Sequence, residues 1–168
     1  MENVEIKVQE MDYSGTEAYK SLRTNLQFCG EDKKVIAVTS CTPNEGKSSV
    51  TMNLAVSMAE AGKKVILIDA DMRKSVLVGR TKVRGSVKGL THYLSKQAPL
   101  IDVICSTNVK NLSIIFAGPV PPNPAELLGS RHFKAMLDSL KKVYDYILID
   151  TPPLGSVIDS AIIAEECD

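Results

Sequence analysis

The chain contains no tryptophan and only 5% aromatic residues. It therefore lacks the aromatic platforms on which single-stranded nucleic acids stack. It has no excess of either charge, with 20 Lys and Arg against 20 Asp and Glu. Nucleic-acid-binding domains carry a basic surplus, so no nucleic-acid partner is expected. No apolar run approaches the ~20 residues that a membrane-spanning helix needs. The first residues, MENVEIKVQEMD, are polar and acidic, unlike a secretory leader. The expectation is a soluble cytoplasmic chain, with any contact to a membrane made through another protein. The cysteines Cys29, Cys41, Cys105 and Cys167 form neither a zinc-ribbon nor a C-x-x-C spacing, and reduced thiols are expected. Internal repeats and low-complexity segments are also missing.

What is present is an ordinary globular balance, 44% hydrophobic and 24% charged over 168 residues. That suits one domain spanning residues 1–168 with its own core. Residues 1–14 read as an arm with short extended stretches. Thr16 to Cys29 has a helical pattern, with Tyr19, Leu22 and Leu26 on one face and Gly30 as a stop. The β-branched runs VIAVTS (Val35 to Ser40), VILID (Val65 to Asp69), LSIIFA (Leu112 to Ala117) and YILID (Tyr146 to Asp150) read as buried strands. Helices are expected from Lys47 to Ala61, Leu90 to Lys96, Ala125 to Val143 and Asp159 to Glu166. Residues 74–89, rich in glycine and basic side chains, read as a mobile loop, and GPVPPNP (Gly118 to Pro124) as irregular. Strands alternating with helices predict an α/β fold, a three-layer α/β/α arrangement around a mostly parallel sheet.

The sharpest motif is strand VIAVTS, loop CTPNEGKSS, then helix. Successive backbone N–H groups from Asn44 to Ser49 can wrap a phosphate, and the helix N-terminus adds positive potential. In this P-loop reading Gly46 lets the backbone approach closely, Lys47 reaches the β- and γ-phosphates, and Ser48 ligates Mg²⁺. The nucleotide-binding set is Asn44, Glu45, Gly46, Lys47, Ser48, Ser49 and Arg73. The first glycine of the usual pattern is replaced by Cys41, which cannot visit positive φ freely. The plainer alternative is a GKS tripeptide in an ordinary turn.

Two buried strands end in aspartate, VILIDADMR with Asp69 and Asp71, and YILIDTPP with Asp150. Ligands of open α/β sheets sit beyond the carboxyl ends of strands. Carboxylates there can bind hydrated Mg²⁺ or orient a nucleophile. The expected metal residues are Ser48, Asp69 and Asp150. The expected catalytic residues are Lys47, Asp69 and Asp71, with either aspartate able to take the substrate proton. The plainer reading makes each Asp a turn or helix cap.

The order of these motifs resembles the bacterial tyrosine kinases, whose Walker A, A′ and B motifs correspond to Cys41–Ser48, Val65–Arg73 and Tyr146–Asp150. The stretches EAYKSLRTN (Glu17 to Asn25), PPNPAELLGS (Pro121 to Ser130) and DTPPLGSVIDSA (Asp150 to Ala161) are similar to that family as well. The resemblance implies a P-loop NTPase fold and tyrosine autophosphorylation with ATP and Mg²⁺. It implies a homo-oligomeric ring whose contact helix here carries Glu17, Lys20 and Arg23. Lys20 replaces an arginine and gives up its bidentate fork. It also implies activation by the cytosolic tail of a membrane adaptor, placing the chain at the inner face of the membrane, and a role in capsular or exopolysaccharide synthesis and export. Family members continue past the point matching Asp168 with further strands and a tyrosine cluster, so a truncated chain is expected, and Tyr13, Tyr19, Tyr93, Tyr144 and Tyr146 form no such cluster. Ser75 stands where the family usually has proline, and little effect is expected from it. One rival is a partition-type or Min-type ATPase switch. Its signature early lysine is missing among Thr42, Pro43 and Asn44. The other is a non-catalytic nucleotide-binding regulatory module.

Overall fold

The computed structural model describes residues 2–8, 10–82 and 86–168. Among the described residues, seven strands form one sheet in the order β2-β7-β3-β6-β5-β1-β4. They are β1 (Glu2–Ile6), β2 (Val35–Val38), β3 (Val65–Asp69), β4 (Thr81–Lys82), β5 (Cys105–Thr107), β6 (Leu112–Ile115) and β7 (Tyr146–Asp150). The pairs β2–β7, β7–β3, β3–β6 and β5–β1 are parallel, whereas β5–β6 and β1–β4 are antiparallel. The helices are α1 (Tyr13–Phe28), α2 (Lys47–Glu60), α3 (Leu90–Leu94), α4 (Leu100–Val103), α5 (Pro124–Leu128), α6 (Arg131–Leu140) and α7 (Asp159–Ala164). The expected three-layer α/β/α architecture is the one found.

Strand side chains alternate between two cores, as a period of two requires. Val65, Leu67, Tyr146 and Leu148 pack on the side of α2, whose Met52, Ala55 and Met58 are buried there. Ile66, Ile68, Ile147 and Ile149 pack on the opposite side against Leu90, Phe133, Met136, Leu137 and Ile163. Phe133, Met136, Leu137 and Leu140 of α6 recur at helical spacing and are all buried. The alternation continues into the last residue of each strand. Asp69 follows Val65 and Leu67, and Asp150 follows Tyr146 and Leu148, so both carboxylates emerge on the α2 side. Register aligns them: Val38 pairs with Asp150, and Asp150 with Asp69.

Several boundaries differ from expectation. The N-terminal residues are a sheet strand, with β1 between β5 and β4 and its Val4 and Ile6 both 2% exposed. Helix α1 starts at Tyr13, where the Asp12 side chain accepts from Gly15 N–H at 2.7 Å, a side-chain cap. Leu22 of α1 is exposed, while Tyr19 and Leu26 pack against the α2-side core. The loop expected at 74–89 contains a 3₁₀ turn (Val78–Arg80) and β4; residues 83–85 of that loop lie outside the described residues. The helix expected from Ala125 to Val143 is two helices. Pro124 opens α5 at a position where a missing N–H does no harm, and Ser130 starts α6 by accepting from Phe133 N–H.

Candidate active site

The carboxyl ends of β2, β3 and β7 lie side by side, and the loop from Cys41 to Gly46 leads from β2 into α2. Positive φ in this loop falls at Asn44 (66°) and Gly46 (86°), the second at the helix N-cap. Cys41 is not among the residues of positive φ. Cysteine is therefore tolerated at the first P-loop position, and Asn, the side chain most at home there after glycine, takes the strained turn. Gly46 makes no side-chain cap, which leaves the first-turn N–H groups of α2 for a ligand. The Glu45 carboxylate turns back into the loop. It accepts from Cys41 N–H at 3.1 Å and from the Thr42 hydroxyl at 2.7 Å, and these bonds hold it below the usual carboxylate range. Its side chain braces the loop, so its part in a phosphate cradle is left to its backbone.

Lys47 Nζ donates to Asp150 Oδ1 at 2.5 Å, and both side chains are nearly buried, at 8% and 1% exposed. Thr51 Oγ1 donates to the same oxygen at 3.4 Å. Asp69 is fully buried. Its Oδ2 accepts from the Ser75 hydroxyl, and its Oδ1 has no partner among the described residues. Burial pushes Asp69 up to about 7, opposed by the Ser75 hydrogen bond and reinforced by the charges of Asp150 and Asp71. Ser75, from which little effect was expected, places its hydroxyl on one oxygen of this carboxylate.

Asp71 is half-exposed and accepts from the N–H groups of Arg73 (3.3 Å) and Lys74 (2.9 Å). It thus acts as a turn cap, the plainer reading, while also lining the cleft. Arg73 grips Asp159 with both prongs, Nε to Oδ2 at 2.8 Å and Nη2 to Oδ1 at 3.0 Å. Asp159 is fully buried at the start of α7, and sequence reading took it only as a helix start. Arg80 donates to Ser49 Oγ at 2.5 Å, another residue that sequence reading passed over. A cleft of about 220 Å³ is lined by Asn44, Lys47, Ser48, Asp71, Arg73 and Arg80, among others. Asp69 and Asp150, both buried, are not among its lining residues.

The loop after β7 is laced to the P-loop, with Leu154 N–H donating to Ser40 O at 2.9 Å and Gly155 N–H to Cys41 O at 3.1 Å. A Cβ on Gly155 would sit 2.5 Å from that Cys41 oxygen, so only glycine fits. On α1, Glu17 and Lys20 pair with each other at 2.7 Å, and Arg23 reaches Ser57 O on α2 at 2.7 Å. The three do not form one free face.

An unpartnered buried carboxylate oxygen beside a phosphate cradle fits a hard cation. Among the described residues, no three His, Cys, Asp or Glu side chains cluster into a metal cage. Mg²⁺ in general takes one or two carboxylates together with water and phosphate oxygens.

Residues 33–166 match the model of the AAA domain family. The chain is similar to the tyrosine-protein kinase CpsD of Streptococcus pneumoniae serotype 4, at 46% identity over 170 residues, covering 100% of this chain and 75% of the relative. The chain belongs to the bacterial tyrosine-kinase family. A tyrosine-protein kinase CpsD of Streptococcus agalactiae is 51% identical over 152 residues, 90% of this kinase-family chain and 66% of the relative. The chain therefore spans just under two thirds of that relative's length. Among solved structures, the kinase domain of Escherichia coli tyrosine kinase ETK superposes with a TM-score of 0.84 at 30% identity, over 96% of this chain and 67% of that one. The Pyrococcus horikoshii septum site-determining protein MinD, complexed with Mg-ADP, superposes with a TM-score of 0.64 at 30% identity, over 80% of this chain and 54% of that one. The P-loop fold follows from this membership. No described helix is long and apolar enough to cross a membrane.

Proposed function

We propose that this chain is the catalytic domain of a protein-tyrosine autokinase that uses Mg-ATP and regulates capsular or exopolysaccharide synthesis and export. The observation that carries the reading is the convergence of the P-loop, Asp69 and Asp150 at one register of the sheet, in a chain of the tyrosine-kinase family. The first-turn amides of α2 hold phosphate oxygens. Lys47 leaves Asp150 for the β- and γ-phosphates, and its charge stabilises the transferring group. Ser48, Asp69 and Asp150 would hold Mg²⁺, which would supply positive charge against the phosphates. Asp71 lines the cleft, whereas Asp69 and Asp150 are buried and are not among its lining residues. This favours Asp71 as the acceptor of the tyrosine proton and Asp69 as the metal residue. A phenol with a pKa near 10 needs such an acceptor at neutral pH. Arg73, clamped by Asp159, flanks the phosphates.

Family resemblance supports a cytoplasmic chain recruited by the tail of a membrane adaptor, and a ring contact through α1. In that contact Glu17 and Lys20 face the neighbour, while Arg23 stays with Ser57. The test follows the γ-phosphoryl group. With γ-labelled ATP, Mg²⁺, adaptor-tail peptide and a glutamate–tyrosine copolymer, label is expected in phosphotyrosine well above that released as inorganic phosphate. Label appearing only as inorganic phosphate would make the chain a Min-like switch. Nucleotide binding without release or transfer would make it a regulatory module.

A further inference from the structure

The tyrosines of the chain differ sharply in access. Tyr144 and Tyr146 are buried, at 9% and 7% exposed. Tyr93 is half-buried with its hydroxyl on His132 O, and Tyr19 accepts from Asn53 Nδ2 at 3.3 Å. Tyr13 is 82% exposed, at the first residue of α1.

Its place in the fold is set by two contacts. Tyr19 meets Asn53, and Arg23 meets Ser57. Both pairs have the same sequence offset, so α1 and α2 run in the same direction, and Tyr13 stands level with Lys47. The exposed tyrosine is at the P-loop end of the helical layer. A second groove of about 330 Å³, lined by Lys7, Ser49, Met52, Asn53, Gly79 and Arg80, shares Arg80 with the nucleotide cleft. Lys7 is joined to Tyr13 by only a short stretch of chain. Tyr13 is flanked by Glu10, Asp12 and Glu17, with no basic residue from Val8 to Tyr19. The groove and cleft rim carry Lys7, Lys74 and Arg80. An acidic tyrosine segment and a basic approach to the γ-phosphate are complementary, and the first turn of a helix opens easily.

We propose that Tyr13 is a phosphate acceptor of this chain's own kinase site, presented by the same or a second copy. The inference rests on the kinase reading above. The phenolic oxygen of Tyr13 bonds to the γ-phosphorus as the bond from that phosphorus to the β–γ bridging oxygen breaks. ADP leaves, and the phenolic proton passes to Asp71 and on to solvent. The product carries close to two negative charges at an α-helix N-terminus, where the helix dipole favours them. It also lies one turn from Glu17, on the face where Glu17 pairs with Lys20.

The test is site mapping by mass spectrometry after incubation with Mg-ATP, with a glutamate–tyrosine copolymer present as an independent substrate. The parent chain, Tyr13→Phe and Lys47→Met are compared. The expected result is phosphate on Tyr13 in the parent and none in Lys47→Met. Tyr13→Phe is expected to lose at least tenfold of the chain's own phosphorylation while modifying the copolymer as the parent does. A labelled copolymer with Tyr13 unmodified overturns the inference and leaves the kinase reading standing. No label on either overturns both.

Discussion

Asp69 is an acid buried before its counter-charge arrives. One oxygen is held by Ser75 and the other has no partner among the described residues. Its folded value of about 7 lies above the ordinary carboxylate value of 3.8. The folded state therefore binds its proton more tightly than the unfolded chain does. Stability from this group is fully present below the unfolded value and is lost as pH rises through about 7. In chelator, Asp69→Asn is expected to match or exceed the parent in thermal stability. The gap should widen from pH 5 to 8, reaching roughly 1–3 kcal/mol. A variant less stable than the parent at pH 8 would contradict this account of the free site. Asp69 and Asp150 stood out in the sequence because each ends a buried β-branched run, whereas Asp71, two residues further on, caps a turn. Ser75 and Asp159 did not stand out. Their parts depend on contacts across the fold, and a serine or a helix-starting aspartate carries no sequence mark of its distant partner.

Among the elements, the loop from Thr151 to Ile158 does more than join β7 to α7. It runs backbone to backbone along Ser40 and Cys41, so the strand that delivers Asp150 and the proposed phosphate loop are one unit. Gly155→Ala would drive a Cβ to 2.5 Å from Cys41 O. The expected cost is about 1–3 kcal/mol of stability, with a severalfold loss in affinity for fluorescent ADP. Unchanged stability and affinity would show that the two loops move independently. Element type was read correctly for the long periodic segments. It failed where the segment was short or where one residue redirected the chain. α4 and β5 are too brief for periodicity to register. Gly129–Ser130 divides α5 from α6 although apolar residues continue on both sides. The N-terminal strand looked like an arm because only Val4 and Ile6 mark its buried face, and the strands it pairs with are remote in sequence.

At the scale of the molecule, the parallel core β2-β7-β3-β6 was readable from four apolar runs, and the mixed margin of β5, β1 and β4 was not, since nothing local specifies it. The core is what makes the site. It sets three strand ends at one register and turns Asp69 and Asp150 toward α2. Every catalytic assignment depends on Lys47 exchanging Asp150 for a phosphate in that frame. The most direct check is phosphotyrosine formed from Mg-ATP, measured by mass spectrometry with tyrosine-rich and adaptor-tail peptides supplied, for the parent chain and for Lys47→Met. The account predicts phosphotyrosine with the parent and a loss of at least a hundredfold with the variant. Equal phosphotyrosine from both, or none from a parent that binds the nucleotide, would contradict it.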